Sequence, residues 1–419
     1  MRTALALAFA ALAAQSCVAV GPEPSEASTP APATAVAAEP TSSPTPGPPE
    51  PSASPSTPLP RCPAPERRIG PVELDALCVA GTEVAVERGI AEDDARLLAA
   101  QVQDDVTAVL YDFAWTLRGR PLIRVFATTA SYTAGLVHAF GYTGATAAFV
   151  AENSVAFFEP DLRTILVNWD AVRERRPIAA IRHELTHFVT LEACAPRCDL
   201  VPAWLNEGQA RLAEALIPGG EWRLVRVRYE AASMVATKTL LPLPALVSQG
   251  QWNSLTSWAG YYKYQEAARA TELLREDIGG AQPIARLYER LRRGEDVARA
   301  YASLTGRSFD SFLTGLAARF ADGVPAGPAI VTTAGPQAGH GVGYLLYGFG
   351  SEERLTLRVV GRRFEEHEEI TVSPQGAHFA EIVDRYPPGT YVIAVTKGET
   401  VVASTRFEKR GGRPLYRLD

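Results

Sequence analysis

Apolar residues recur at helical spacing through EDDARLLAAQVQDDVTAVLYDFAWTL (92–117), after an acidic start, and this predicts an amphipathic helix. On either side the pattern changes to short runs dense in β-branched and aromatic residues. These are TEVAVERG (82–89), PLIRVFAT (121–128), AAFVAENSVAFFE (147–159) and TILVNW (164–169), each read as β-rich. A mixed sheet under a helix is the economical arrangement. From Pro177 to about Phe320 the helical period takes over almost throughout, with breaks at Pro218-Gly219-Gly220, Gly279-Gly280 and Gly294. After ADGVPAGPA the texture alters again, to strands such as RLTLRVVG, EEITVSP, HFAEIVD, TYVIAVTKG and TVVASTRFEK, at a spacing of roughly ten residues. The expected fold class is α+β: a mixed sheet with a helical lobe, then a small all-β sandwich.

The first 65 residues fit neither pattern. Arg2 precedes the apolar run ALALAFAALAA (4–14), which leads through Gln15-Ser16 to Cys17. A spanning helix needs about 20 apolar residues, so this run reads as a secretion signal. The ending AAQSC resembles a bacterial lipobox, which implies that Cys17 becomes the lipidated first residue of the mature chain. Residues 21–65 hold 15 of the 32 prolines and almost nothing large and apolar. Such a composition cannot offset its own ordering entropy, and it reads as an extended tether. The expected organisation is a signal peptide and lipobox over 1–17, a proline-rich tether over 18–65, a catalytic unit over 66–322 and a β-sandwich over 325–419. The chain is then expected outside the cytoplasm, held to a membrane by lipid alone or else secreted.

Composition removes other classes. A net charge of -6 with four lysines leaves no basic excess of the kind nucleic-acid binding requires. Of five cysteines, setting Cys17 aside leaves Cys62, Cys78, Cys194 and Cys198, an even number suited to an oxidising compartment. Pairing of near neighbours, Cys62 with Cys78 and Cys194 with Cys198, is the expected connectivity. A zinc site on Cys194 and Cys198 is the alternative.

The chemistry sits at IRHELTHFV. His183 and His187 stand four residues apart, about 40° apart around a helix, with Glu184 beside the first. Two imidazoles one turn apart can hold one tetrahedral Zn2+, while the Glu reaches a water rather than the metal. In PAWLNEGQARLAEAL, Glu207 follows His187 by twenty positions and begins another helical stretch. Two His and one Glu leave a fourth position to water, the open coordination of a catalytic zinc. His138, His340, His367 and His378 have no ligand spacing and read as surface or core residues.

HELTH followed by WLNEG resembles the gluzincin metallopeptidases, and most closely the peptidase-MA-like group related to zinc aminopeptidases, over about residues 82–320. The resemblance implies His183, His187 and Glu207 as ligands and Glu184 as general base. It further implies a supporting acid seven residues beyond the ligand Glu, where Glu214 stands; in thermolysin-like relatives that acid is four residues on, where this chain has Arg211. An oxyanion-binding tyrosine is implied in a later helix. Of Tyr261, Tyr262 and Tyr264, the run Tyr264-Gln265-Glu266-Ala267-Ala268 matches that pattern best. The group's amine-reading Gly-x-Met-Glu-Asn loop is matched only by Ala151-Glu152-Asn153, which makes Glu152 a weak candidate amine anchor and better read as a surface or edge-strand acid.

The expected function is an extracytoplasmic zinc peptidase with a C-terminal immunoglobulin-like domain, acting on a peptide or protein that pairs with the AENSVAFF edge. Three rivals stand beside it: an inactive surface-binding lipoprotein whose β-sandwich engages a cell-surface partner, a zinc amidase of cell-wall peptides, and a structural zinc module.

Overall fold

The computed structural model describes residues 68–79, 82–173, 178–217, 221–255, 257–332, 343–362, 364–381, 387 and 389–409. Cys17, Cys62 and His340 lie outside them, as does the side chain of Cys78, so the expected lipidation and the Cys62–Cys78 pairing are not addressed.

Strands β1 (Arg68–Ile69), β2 (Val72–Val79) and β3 (Thr82–Glu87) form an antiparallel start. Helix α1 (Glu92–Phe113) then crosses to β4 (Leu122–Phe126), which runs parallel to β3. Its acidic first turn, Glu92, Asp93 and Asp94, suits the positive end of the helix dipole. It stops four residues earlier than the periodicity predicts, because Ala114 turns left-handed (φ 44°). Helices α2 (Thr129–Phe140) and α3 (Gly144–Asn153) lead to the pair β5 (Ala156–Glu159) and β6 (Thr164–Asn168). The sheet order is β1-β2-β3-β4-β6-β5, with β4 and β6 parallel and β5 antiparallel on the edge.

Strand alternation explains why these runs are apolar on both sides. Val84, Val86, Ile123, Val125, Ile165 and Val167 face the core under α1 and the helical lobe. Ala85, Phe126, Phe157 and Leu166 face the opposite core, closed by Tyr132, Leu136, Ala147 and Val150 of α2 and α3.

One strand expectation is corrected here. Residues 147–153 are helical, and only Ala156–Glu159 of that run is a strand. Thr143 accepts the Thr146 amide at 3.2 Å as the N-cap, and the alanine-rich run that follows favours helix once its Ala147 and Val150 can be buried on one face. Glu152 is therefore an exposed helical residue, not a strand acid.

The helical lobe follows: α4 (Trp169–Val172), α5 (Ala179–Cys194), a 3-10 turn (Cys198–Leu200), α6 (Ala203–Ala215), α7 (Glu221–Thr237), a second 3-10 turn (Leu243–Ala245), α8 (Gln249–Ser254), α9 (Ser257–Asp277), α10 (Ile284–Arg292), α11 (Val297–Thr305) and α12 (Phe309–Ala321). Among the described residues, no helix is long and apolar enough to cross a membrane. The remaining strands are β7 (Ala329–Thr332), β8 (Gly343–Tyr347), β9 (Arg354–Gly361), β10 (Phe364–Thr371), β11 (His378–Glu381), β12 (Gly389–Lys397) and β13 (Thr400–Lys409). They make two antiparallel sheets, β10-β9-β12-β13 and β11-β8-β7, around one apolar core that includes Leu346, Leu357, Val359 and Ile393. The chain is thus a mixed α+β unit followed by a separate all-β antiparallel region.

That region is fastened to the lobe. Ser233 Oγ donates to the Gln375 carbonyl (2.6 Å) and accepts the Gly348 amide (3.2 Å). Tyr262 donates to Ser373 Oγ at 2.9 Å, and the Arg226 guanidinium lies 3.7 Å from the centre of the Phe379 ring.

Candidate metal centre

Helix α5 is buried from Ile181 through Thr190, as a helix in the middle of the fold must be, and polar staples fix both its ends. At its start, Gln101 of α1 accepts the Ile178 amide and donates to the Ile178 carbonyl, both at 2.9 Å. Arg182 pairs with the buried Asp105 at 2.7 Å. Burial pushes the Asp105 carboxyl up to about 6 even though Arg182 and Gln101 pull it down. At the far end, Glu192 accepts the amides of Arg118 (2.9 Å) and Gly119 (2.8 Å), the Trp115 indole (3.2 Å) and the Arg163 guanidinium. Cys194 and Cys198 are joined in a disulfide just beyond, so the proposed cysteine zinc site is replaced by a cross-link. Phe188 packs edge-on against Phe158 of β5, with ring centres 5.9 Å apart.

Helix α6 brings the third acid. Its first amides are taken by backbone carbonyls, Ala203 to Val247 (2.9 Å) and Trp204 to Leu246 (3.2 Å), and Trp204 stacks on Phe309. Behind it, α9 approaches backbone to backbone. A Cβ at Gly208 would lie 2.4 Å from both the Ala267 carbonyl and Thr271 Oγ1, so only glycine fits beside Glu207.

The result is a buried cluster of His183, His187 and Glu207 whose candidate ligand atoms all lie within 4.8 Å of one another. Each His Nε2 is 3.6 Å from Glu207 Oε2. That is too long for a hydrogen bond, and these three buried atoms have no hydrogen-bond partner among the described residues. Buried polar atoms left in this way, converging on one point, fit a metal ion. The other ring nitrogens are engaged. His183 Nδ1 lies 2.6 Å from Glu214 Oε1, and His187 Nδ1 lies 3.1 Å from Asn206 Oδ1. Glu214 is in turn held by Arg211, and Glu207 Oε1 accepts Gln249 Nε2 at 3.1 Å. This is how ligands are oriented: the nitrogen facing away from the metal donates to an oxygen.

The cluster is one of opposed charges: burial disfavours charge on His183, but Glu207 and Glu214 pull it toward its protonated form, and a bound metal would displace that proton. Burial raises Glu207, but the charges of His187 and His183 outweigh it and hold the carboxyl at about 2. Burial likewise raises Glu214, and Arg211 with His183 brings it to about 2. Two carboxylates therefore keep their charge inside the protein, beside two imidazoles. The buried Glu184 adjoins His183, where its charge is felt.

Of the three tyrosines, Tyr264 has its ring centre 6.4 Å from that of His183, while its neighbours are committed elsewhere. Tyr261 bonds with Arg226, Glu230 and Gln265, and Tyr262 faces Ser373. Sequence reading missed Asn206 and Gln249. Asn206 carried a signal, as a polar residue one position before a candidate ligand. Gln249, 42 residues from Glu207, carried none. His138 sits against Gly70, His367 against Glu365, and His378 against the buried Arg226, all away from the cluster.

No family model matches this chain, and no curated protein matches it in sequence.

Proposed function

We propose that this chain is a zinc-dependent peptidase of gluzincin type, exported and tethered by lipid at Cys17, with the β region an immunoglobulin-like domain. The observation that carries the reading is the three-atom convergence of His183, His187 and Glu207 with Glu214 on the far nitrogen of His183. Two imidazoles and one carboxylate suit Zn2+. Bound there, zinc would supply a Lewis acid that polarises a carbonyl and acidifies water.

The chain's own residues account for the rest. Glu184, one residue from a ligand and buried, takes a proton from the attacking water and returns it to the leaving amine. Tyr264, beside His183, donates its hydroxyl to the oxyanion. Glu214 and Asn206 fix the imidazole orientations, so that Nε2 of each ring faces the same point. An extended substrate would add to the free side of β5, the sheet edge nearest α5.

The test is elemental analysis of the purified mature chain. About one zinc per chain is expected, lost in His183→Ala, His187→Ala and Glu207→Ala. Undiminished zinc in Glu207→Ala would overturn the gluzincin reading. Membrane retention of a Cys17→Ser variant would overturn the lipid anchor.

A further inference from the structure

Among the buried cations that the mechanism leaves unused, Lys263 lies nearest the cluster's supporting residues. Lys263 is 1% exposed, in a chain with only four lysines. A buried ammonium is costly unless its protons are satisfied, so its surroundings indicate what holds it there. Its Nζ donates to the Trp252 carbonyl at 2.7 Å and to the Leu255 carbonyl at 3.2 Å. Trp252 lies in the last turn of α8 and Leu255 is its C-cap, the end of a helix whose carbonyls and dipole favour a cation. The same ammonium lies 5.0 Å from the centre of the Trp252 ring and 5.5 Å from that of Tyr264. Those two rings meet edge-to-face at 5.0 Å. Burial lowers the lysine to about 8, and the Glu207 charge acts to raise it.

The short helix that Lys263 plugs bears on the metal centre at its other end. Gln249, its first residue, donates to Glu207 Oε1 (3.1 Å) and to Asn253 Oδ1 (3.2 Å), while Ser248 and Gln251 close the helix start with a reciprocal capping box. One side chain therefore joins three parts: the α9 turn that carries Tyr264, the indole against that tyrosine, and the helix whose amide orients Glu207.

We infer that Lys263 is a positioning residue of the metal centre, fixing α8 so that Gln249 holds Glu207 and Trp252 holds Tyr264. The inference rests on the reading of His183, His187 and Glu207 as metal ligands. Lys263 touches neither substrate nor metal in this assignment, and its effect passes through Gln249 and Trp252.

The experiment measures zinc affinity of the full chain by competition with a chelator, and the visible spectrum of the Co2+-substituted protein. Wild type is compared with Lys263→Met, Lys263→Gln and Gln249→Ala. Met keeps the length of the stem and removes the charge and all donors, whereas Gln keeps an N–H donor. Loss of a residue that orients a ligand weakens metal binding by about 10- to 100-fold. Lys263→Met is expected in that range, with a shifted Co2+ spectrum, Lys263→Gln in between, and Gln249→Ala non-additive with Lys263→Met because both act on one contact. A wild type that binds neither zinc nor cobalt sinks the metal reading itself. Binding wild type together with a Lys263→Met protein of native circular dichroism, zinc affinity within twofold and an unchanged spectrum overturns the positioning role alone. Should Lys263→Met not fold, the same two measurements on Lys263→Gln decide.

Discussion

The helical lobe and the β region bury very different things. Between residues 105 and 275 the interior holds Asp105, Arg182, Glu192, Glu207, Arg226, Glu230, Lys263, Glu266 and Arg275, with both imidazoles of the cluster. Among the described residues of the β region, the buried polar side chains are Ser373 and Gln375. Its charges pair on the surface, as Arg358 does with Glu365 and Lys397 with Glu353. An apolar core needs no partners, whereas each buried charge must be matched or stay a penalty. The lobe meets that cost with separate pairs, such as Arg182 with Asp105 and Arg226 with Glu230, and with backbone groups, as at Lys263 and Glu266. The β region's own interior is almost wholly apolar, and it meets the lobe through hydroxyls, backbone groups and ring contacts such as Tyr229 on Tyr347.

If that contrast is functional, the largest effect belongs to the buried acid that is not a ligand. Glu184→Gln should keep its zinc and lose peptide hydrolysis by about 10^3- to 10^4-fold, as expected for a general base. Measuring both in one preparation checks it, and loss of zinc would assign Glu184 to the ligand set instead. Tyr264→Phe should cost about 10^2- to 10^3-fold in kcat, with Tyr261→Phe much milder. The reverse ranking would move the oxyanion role to Tyr261.

The next pair sets one region against the other in stability. Arg182→Met strands Asp105, and removing one partner of a buried pair costs about 3–5 kcal/mol. Ile393→Ala hollows the β core for about 2–5 kcal/mol. Denaturant melts should find both losses, yet only the Arg182 variant, one residue from His183, should also weaken zinc. Equal zinc loss in the two would erase the distinction between the regions.

The last effect, read in melting temperature alone, is a pH dependence. Burial pushes Glu266 up to about 8, although the Leu241 amide opposes this. The folded state then holds a proton that the unfolded chain releases near 4.5, so the contribution is fully present below that value and fades as pH rises through 8. Thermal melts from pH 5 to pH 9 should fall more steeply for wild type than for Glu266→Gln. Each kcal/mol of that linkage corresponds to about 2–4 °C. Parallel curves would show that Glu266 is ionised in the fold.

What the sequence made legible follows from distance along the chain. The pair at 183 and 187 and the base at 184 are one helical turn, and Glu207 and Glu214 share the next motif. Strand alternation and helical period located β3, α1, β4, β5, β6, the helical run beyond 177 and most strands beyond 354, but not α2 at Thr129–Phe140. AAFVAENSVAFFE was misread because a short apolar run looks alike in either state, and its N-cap threonine and one-sided burial decided for helix. Lys263 and Gln249 were invisible, since each acts on a group that only tertiary packing brings near. A lysine between two tyrosines gives no sign that it will be buried.

Gly208 sets a limit on tolerance as well as on packing. The spacing between α6 and α9 is set by an atom that glycine lacks. Adding one methyl would put carbon 2.4 Å from a backbone oxygen that has no rotamer to escape into, and relief requires α9 to slide by on the order of 1 Å. A misplacement of that size can cost about 10^2-fold in rate. Gly208→Ala should therefore yield a folded chain that still carries zinc but turns over slowly, which zinc content and kcat measured together would reveal. A carbonyl, unlike a side chain, cannot turn aside, so this contact between α6 and α9 tolerates no added atom without movement of the helices.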